Sequence, residues 1–344
     1  MSQVIELTRP RPHVAHVWLN RPDVRNAFND EVITTLSDTF AALSRDPDLR
    51  VVVLGAHGKA FCAGADLNWM KTMAGFNWDQ NRADAQRLAD MLQLLDDCPV
   101  PVVGRIQGDC YAGGMGLASI CDVVVAARGV TFCLSEARLG LLPATISPYV
   151  IRALGAQASR RYMTTAERFS AERAHALGFV HELVEAEALD ATVAGIVDAL
   201  VANGPQAVRA CKQLVRDVAG APLDDALRAE TGRRIADIRA SEEGREGVQS
   251  FLGKRSPAWI TPACTRPATC RPTPTGSSAV WPACGTPAPR WHGPSARRRW
   301  PLRAGRAPGC TITKAAAISM PSAPGGSTCS AMPTPPSMPP SPRS

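Results

Sequence analysis

The sequence predicts an α/β protein: a spiral of strand–strand–helix (ββα) units closed by a mostly helical C-terminal region. Three observations carry this. Short apolar runs recur with helical patterns between them, at Val14 to Leu19, Val51 to Leu54, Pro101 to Ile106 and Val123 to Val125. Two of these runs lead into turns of small residues, Phe61-Cys62-Ala63-Gly64-Ala65-Asp66 and Ala112-Gly113-Gly114-Met115-Gly116-Leu117. From Ser147 onward the apolar spacing is helical almost throughout.

Val4 to Thr8 and Val14 to Leu19 read as two strands separated by Arg9-Pro10-Arg11-Pro12. Asn29 or Asp30 can cap a helix reaching about Leu43, with Val32, Ile33, Leu36, Phe40 and Leu43 at helical spacing. Val51 to Leu54 is unbroken and apolar, the pattern of a strand buried on both faces. The first small-residue turn follows, then a helix through Leu67 and Met70. Another helix is expected over about Arg82 to Leu95, stopped by Cys98-Pro99. Pro101 to Ile106 then leads to the second turn and its helix, and Val123 to Val125 and Val130 to Phe132 are further short strands. Helices are expected at about 147–154, 156–163, 170–177, 187–202, 205–218, 223–239 and 241–252, with Val180 to Val184 the exception. Gly204-Pro205 and Gly220-Ala221-Pro222 punctuate the later ones.

Composition divides the chain sharply. The net charge of +7 suggests a nucleic-acid partner until it is located: residues 261–344 hold ten Lys or Arg and no Asp or Glu. Residues 1–260 therefore carry 28 basic against 31 acidic side chains, an acidic body that argues against nucleic acid. The same tail holds 18 of the 29 prolines and 5 of the 11 cysteines, too little apolar surface to offset chain ordering. It reads as a disordered segment of out-of-frame origin, with a polybasic interaction tail as the alternative. The six body cysteines form no CxxC pair and no Cys/His cluster of zinc spacing. No run approaches eighteen apolar residues and no signal pattern opens the chain, so a cytoplasmic protein with reduced thiols and no membrane contact is expected.

The two turns are where chemistry is expected. Backbone N–H groups at a helix start have no partner within the helix. Glycine and alanine leave room for a ligand oxygen to approach them closely. Two such turns facing each other would hold a developing oxyanion between two amide donors. Downstream, Phe132-Cys133-Leu134-Ser135-Glu136-Ala137-Arg138-Leu139-Gly140 sets a lone carboxylate between an apolar strand and a Leu/Gly-rich turn.

Together with Arg21-Pro22, Asn26-Ala27 and Phe251…Lys254-Arg255, these motifs resemble the crotonase (enoyl-CoA hydratase/isomerase) family over roughly residues 3 to 260. The resemblance implies the crotonase fold, with a spiral core over 1–200 and a C-terminal helical trimerisation region over 201–260. It implies an acyl-CoA substrate, with coenzyme A entering as part of that substrate and no tightly bound cofactor or metal, and assembly into a homotrimer or homohexamer. The oxyanion donors would be the N–H groups of Ala65 and Gly113, and Glu136 would move the proton. Arg25, Ala27, Ala63, Ala65, Asp66, Leu67, Phe251 and Lys254 match positions that meet CoA.

One departure bears on the reaction. Two-glutamate hydratases carry a second carboxylate three residues after the oxyanion glycine, where this chain has Gly116. A single glutamate also suits an isomerase, so both reactions stand. Asp109, Ser135, Ser147 and Tyr149 are the candidates for a helping group. A pocket without the second glutamate would also favour a carboxylated acyl group, since two nearby anions repel. The segment Leu141 to Val150 is similar to that of bacterial methylglutaconyl-CoA hydratases, with γ-carboxygeranoyl-CoA hydratase-like proteins and an RNA-binding crotonase-fold protein as alternatives. No G-x-S-x-G elbow, P-loop or G-x-G-x-x-G fingerprint is present.

Overall fold

In the computed structural model, which describes residues 4–260, the chain opens with a hairpin of Ile5–Arg11 (β1) and Val14–Leu19 (β2). The tail, with its expected disorder and origin, lies outside the described residues. The proline-rich stretch at 9–12 does not separate the strands as expected. β1 runs on to Arg11, which Pro10 permits because β1 is an edge strand and its register shifts between Thr8 and Arg11. The reversal falls on Pro12 and His13, the latter at φ 68°.

Asp30–Ser44 (α1) follows, its first turn capped by the Asn29 side chain accepting from the Val32 N–H. Val32, Ile33, Leu36, Phe40 and Leu43 are its buried stripe, as their spacing predicts. Val51–Ala56 (β3), buried along its whole length, turns into Ala60–Cys62 (β4) and then Leu67–Met73 (α2). Trp78–Asp96 (α3) begins four residues earlier than expected because Asn77 and Gln80 form a reciprocal capping box. The second repeat is Val102–Ile106 (β5), Asp109–Tyr111 (β6) and Gly113–Ser119 (α4). The third is Val123–Ala127 (β7) and Thr131–Cys133 (β8), followed after a loop by Ser147–Leu154 (α5) and Ala156–Thr165 (α6). Phe169–Ser170 (β9), Ala171–Ala176 (α7), Glu182–Val184 (β10) and Leu189–Ala202 (α8) complete the core. Pro205–Val218 (α9), Asp225–Ala240 (α10) and Glu242–Leu252 (α11) end the described chain.

The strands form two sheets. Six stand in the order β1-β2-β3-β5-β7-β10, antiparallel only at β1–β2; four stand in the order β4-β6-β8-β9, antiparallel only at β8–β9. Each repeat sends one strand to each sheet, which is the predicted spiral. Its tightest passage is Gly108, between β5 and β6, where a Cβ would lie 1.8 Å from the Lys59 carbonyl oxygen. The small sheet ends where the two small-residue turns begin, so stacking β4, β6 and β8 stacks the turns and the Glu136 segment.

The late helices are different in kind. α9 and α10 bury no residue completely, and Val215, Leu223, Ile235, Val248, Phe251 and Leu252 all face out. α9 is held to the core by charge: the Lys212 ammonium donates to Asp122 at 2.7 Å and to the Val100 carbonyl at 3.1 Å, and Arg216 pairs with Asp96 and Asp97. No helix among the described residues is long and apolar enough to cross a membrane.

Candidate active site

The first turn is anchored from the opposite side by the loop at 25–28. Ala63 N–H donates to the Arg25 carbonyl (3.0 Å), Phe28 N–H to the Gly64 carbonyl (2.7 Å), and Asp66 N–H to the Phe28 carbonyl (2.7 Å). In this parallel bridge the residue between Gly64 and Asp66 makes no bond to Phe28, and the Ala65 N–H has no acceptor among the described residues. Gly64 adopts φ +92°, a conformation suited to glycine; a Cβ there would also strike the Ala112 Cβ at 2.9 Å.

That contact joins the two turns. Ala112 sits at φ 47°, ψ −116°, an uncommon place for a residue with a Cβ. Its N–H donates to the Cys133 carbonyl at 2.8 Å and its carbonyl accepts from Met115 at 2.9 Å, which holds it there. Gly113 opens α4, so its N–H has no helical partner, and it finds no other acceptor among the described residues. A Cβ on Gly64 would lie 3.9 Å from the Gly113 nitrogen, and one on Gly113 would strike the Phe28 ring at 2.6 Å. Gly64, Phe28 and Gly113 thus pack at the limit of contact. The result is two unpaired main-chain donors on abutting turns.

Glu136 begins a 3-10 turn, Glu136–Leu139, three residues after the Cys133 carbonyl that holds Ala112. It is half-buried, and its Oε2 is buried with no hydrogen-bond partner. Neither Glu136 nor the nearby Arg138 forms an ion pair among the described residues. Burial pushes the carboxyl above its ordinary value of 4.5, outweighing a backbone hydrogen bond that acts the other way. A carboxyl shifted toward neutrality, with a free oxygen, is suited to acid–base work.

The suggested helpers are mostly engaged elsewhere. Asp109 accepts from the Thr131 hydroxyl (2.8 Å), Tyr149 donates to Gln93 (3.3 Å), and Ser147 donates to the Ala144 carbonyl (2.8 Å). Gly116 offers no spare room: a Cβ there would lie 2.4 Å from the Ile146 Cγ2. That contact was invisible in the sequence, where the two residues are thirty positions apart.

The positions matched to CoA contact fall on the 25–28 loop, the first turn and the end of the last helix. Arg25 is exposed at the loop tip, while Ala27 is buried with its N–H on Val24 and its carbonyl taken by Arg21 at 2.6 Å. Ala63 and Ala65 are half-exposed, and Leu67 faces solvent. Both oxygens of Asp66 are occupied, one capping α2 through Asn68 and the other on Arg21 at 2.9 Å. Phe251 is 82% exposed, so it is no core residue of its own chain, and Lys254 is exposed beside it. The role of Arg21 was missed; only its place just ahead of Asn26-Ala27 hinted at it. Asn26 works with it, donating to the His57 and Ala60 carbonyls at 2.8 Å. Among the described residues no cluster of three His, Cys, Asp or Glu could hold a metal.

The sequence profile described as enoyl-CoA hydratase/isomerase matches residues 10–262. The enoyl-CoA hydratase ACTT6 of Alternaria alternata is 32% identical over 256 residues, 72% of this chain and 82% of that one. The mevalonyl-coenzyme A hydratase sidH of Aspergillus fumigatus is 31% identical over 253 residues, 73% of this chain and 92% of that one. The crystal structure of an enoyl-CoA hydratase from Shewanella pealeana superposes with a TM-score of 0.72 at 41% identity, covering 74% of this chain and 96% of that one.

Proposed function

This chain belongs to the enoyl-CoA hydratase/isomerase family, and from that premise we propose that it is an enoyl-CoA hydratase, a hydro-lyase that adds water across the 2,3 double bond of an acyl-CoA thioester. The observation that carries this reading is the buried, unpartnered Glu136 oxygen in the segment tied to the two turns that present Ala65 and Gly113. The thioester oxygen accepts from the N–H groups of Ala65 and Gly113. As water attacks C3, Glu136 takes its proton and charge gathers on that oxygen. Glu136 then returns a proton to C2. Each main-chain donor of this kind contributes about 3–4 kcal/mol to the transition state.

A second reading, an isomerase shifting a double bond between positions 3 and 2, is favoured by the single carboxylate. Supplying a 2-enoyl-CoA and a 3-enoyl-CoA separately in H₂¹⁸O separates them. Hydration puts the label into product; isomerisation without label defeats the hydratase reading.

For the acyl group we propose methylglutaconyl-CoA, on the similarity of the segment from Leu141 to Val150, with γ-carboxygeranoyl-CoA as the alternative. A relative named for mevalonyl-CoA is in keeping with a branched acyl group. The pantetheine and adenine would run past Arg25, Ala27, Ala63, Asp66 and Leu67. Phe251 and Lys254 would reach CoA from the last helix. The exposed apolar side chains of α9 to α11 support assembly into trimers or hexamers through the 201–260 region.

A further inference from the structure

Gly116 lies one helical turn beyond Gly113, so a side chain there would leave α4 near the face that presents the Gly113 N–H. It has no room to do so. A Cβ would be 2.4 Å from the Ile146 Cγ2, 3.0 Å from the Ile146 Cβ and 3.6 Å from the Leu92 Cδ2. Ile146 is itself only 2% exposed, at the end of the loop that starts from Glu136 and directly before α5. It is thus packed inside the fold, where a rotamer change must displace its neighbours.

Resting on the hydratase reading, we propose that Ile146 is the specificity-determining residue that confines this site to one carboxylate. Its Cγ2 methyl takes the space that the first carbon of any side chain at 116 would need, and so presents an aliphatic wall where a second acid would stand. Asp109, Ser147 and Tyr149 are committed to Thr131, Ala144 and Gln93. In this reading one group, Glu136, handles both proton movements. The water oxygen bonds to C3 as its proton passes to the Glu136 carboxylate, and the C2=C3 π pair shifts to give the enolate. The proton on Glu136 then bonds to C2, the thioester carbonyl re-forms, and Glu136 ends ionised as it began.

The test exchanges the space and then asks whether a second acid works. Gly116→Glu alone should lower the thermal midpoint by about 2–12 °C, and Ile146→Ala/Gly116→Glu should recover at least about half of that loss. Adding Glu136→Gln to that pair should give ¹⁸O incorporation at least about tenfold faster than Glu136→Gln alone. Gly116→Glu with the wild-type midpoint overturns the proposal. So does a folded triple variant no faster than Glu136→Gln, and so does a triple variant that does not fold, since the exchange would then not restore space. If Glu136→Gln alone is as fast as wild type, the hydratase reading falls and this proposal with it. A dead Glu136→Gln beside a tolerated Gly116→Glu leaves that reading standing and removes only the role of Ile146.

Discussion

Phe28 grips the turn around Ala65 from both sides without hydrogen-bonding to Ala65 itself. Its N–H donates to the Gly64 carbonyl and its carbonyl accepts from the Asp66 N–H, each at 2.7 Å. The Ala65 N–H is thereby left without an acceptor among the described residues, on a turn held at both sides. Ala65→Pro removes that donor without breaking a protein hydrogen bond. Turnover should fall by about 10²–10³-fold while the circular dichroism spectrum persists. Full activity in the proline variant would remove Ala65 from the mechanism.

The same phenylalanine polices the second turn. A methyl on Gly113 would approach the Phe28 ring to 2.6 Å, so Gly113→Ala should displace the ring and loosen both turns together. The expected loss is about 1–3 kcal/mol of stability by urea unfolding, larger than the helix propensity of alanine can offset. Phe28→Leu should relieve the clash, so a double variant less impaired than the sum of the singles is the outcome to look for.

Asp66 holds the first turn through charge. Burial works to raise its carboxyl, but the Asn68 N–H, Arg21 guanidinium and Trp69 N–H together keep it below its ordinary 3.8. A lowered value means stability gained above pH 3.8 and lost as pH falls through the folded value. Asp66→Ala also removes the cap of α2 and leaves a largely buried Arg21 unpaired. It should cost about 2–4 kcal/mol at pH 7, and the gap from wild type should narrow below pH 3.8. A gap independent of pH would count against the ion pair.

Long apolar runs made much of this legible. Val51–Ala56, the α1 stripe and both glycine turns follow from periodicity and from the need for small residues at a backbone approach. The second sheet was harder to read, because β4, β6, β8 and β9 are two or three residues long, too short to establish a period. Contacts across the spiral were not readable at all. Nothing local says that Phe28 meets Gly113, that Asp66 meets Arg21, or that Ile146 fills the notch at Gly116. In each pair, residues distant in sequence are brought together by how the strands stack.

Among the described residues nothing covers the Phe251 ring, which is 82% exposed, and Val248 and Leu252 on the same helix are also exposed. If this face is an assembly surface, Phe251→Asp should lower the mass measured by light scattering toward that of one chain. It should also raise KM for acyl-CoA if the ring reaches a neighbour's substrate. An unchanged mass would mean that α11 lies outside the assembly surface.

Glu136 sets activity against stability. Burial raises its carboxyl, so the folded protein binds this proton more tightly than the unfolded chain does. The stabilisation is complete below the unfolded value of 4.5 and is lost as pH rises through the folded value. Once ionised, Glu136 is a poorly solvated anion, which Glu136→Gln replaces with a neutral amide. The variant should melt higher than wild type at pH 7 and lose that advantage near pH 4, while turnover falls by about 10²–10⁴-fold. In the wild type, the acidic limb of kcat/KM should lie above 4.5, because the ionised form is the one that takes the proton from water. A limb at or below 4.5, or a glutamine variant that melts no higher at pH 7, would show that the carboxylate is adequately solvated in the fold, and the case for Glu136 as a tuned base would fail.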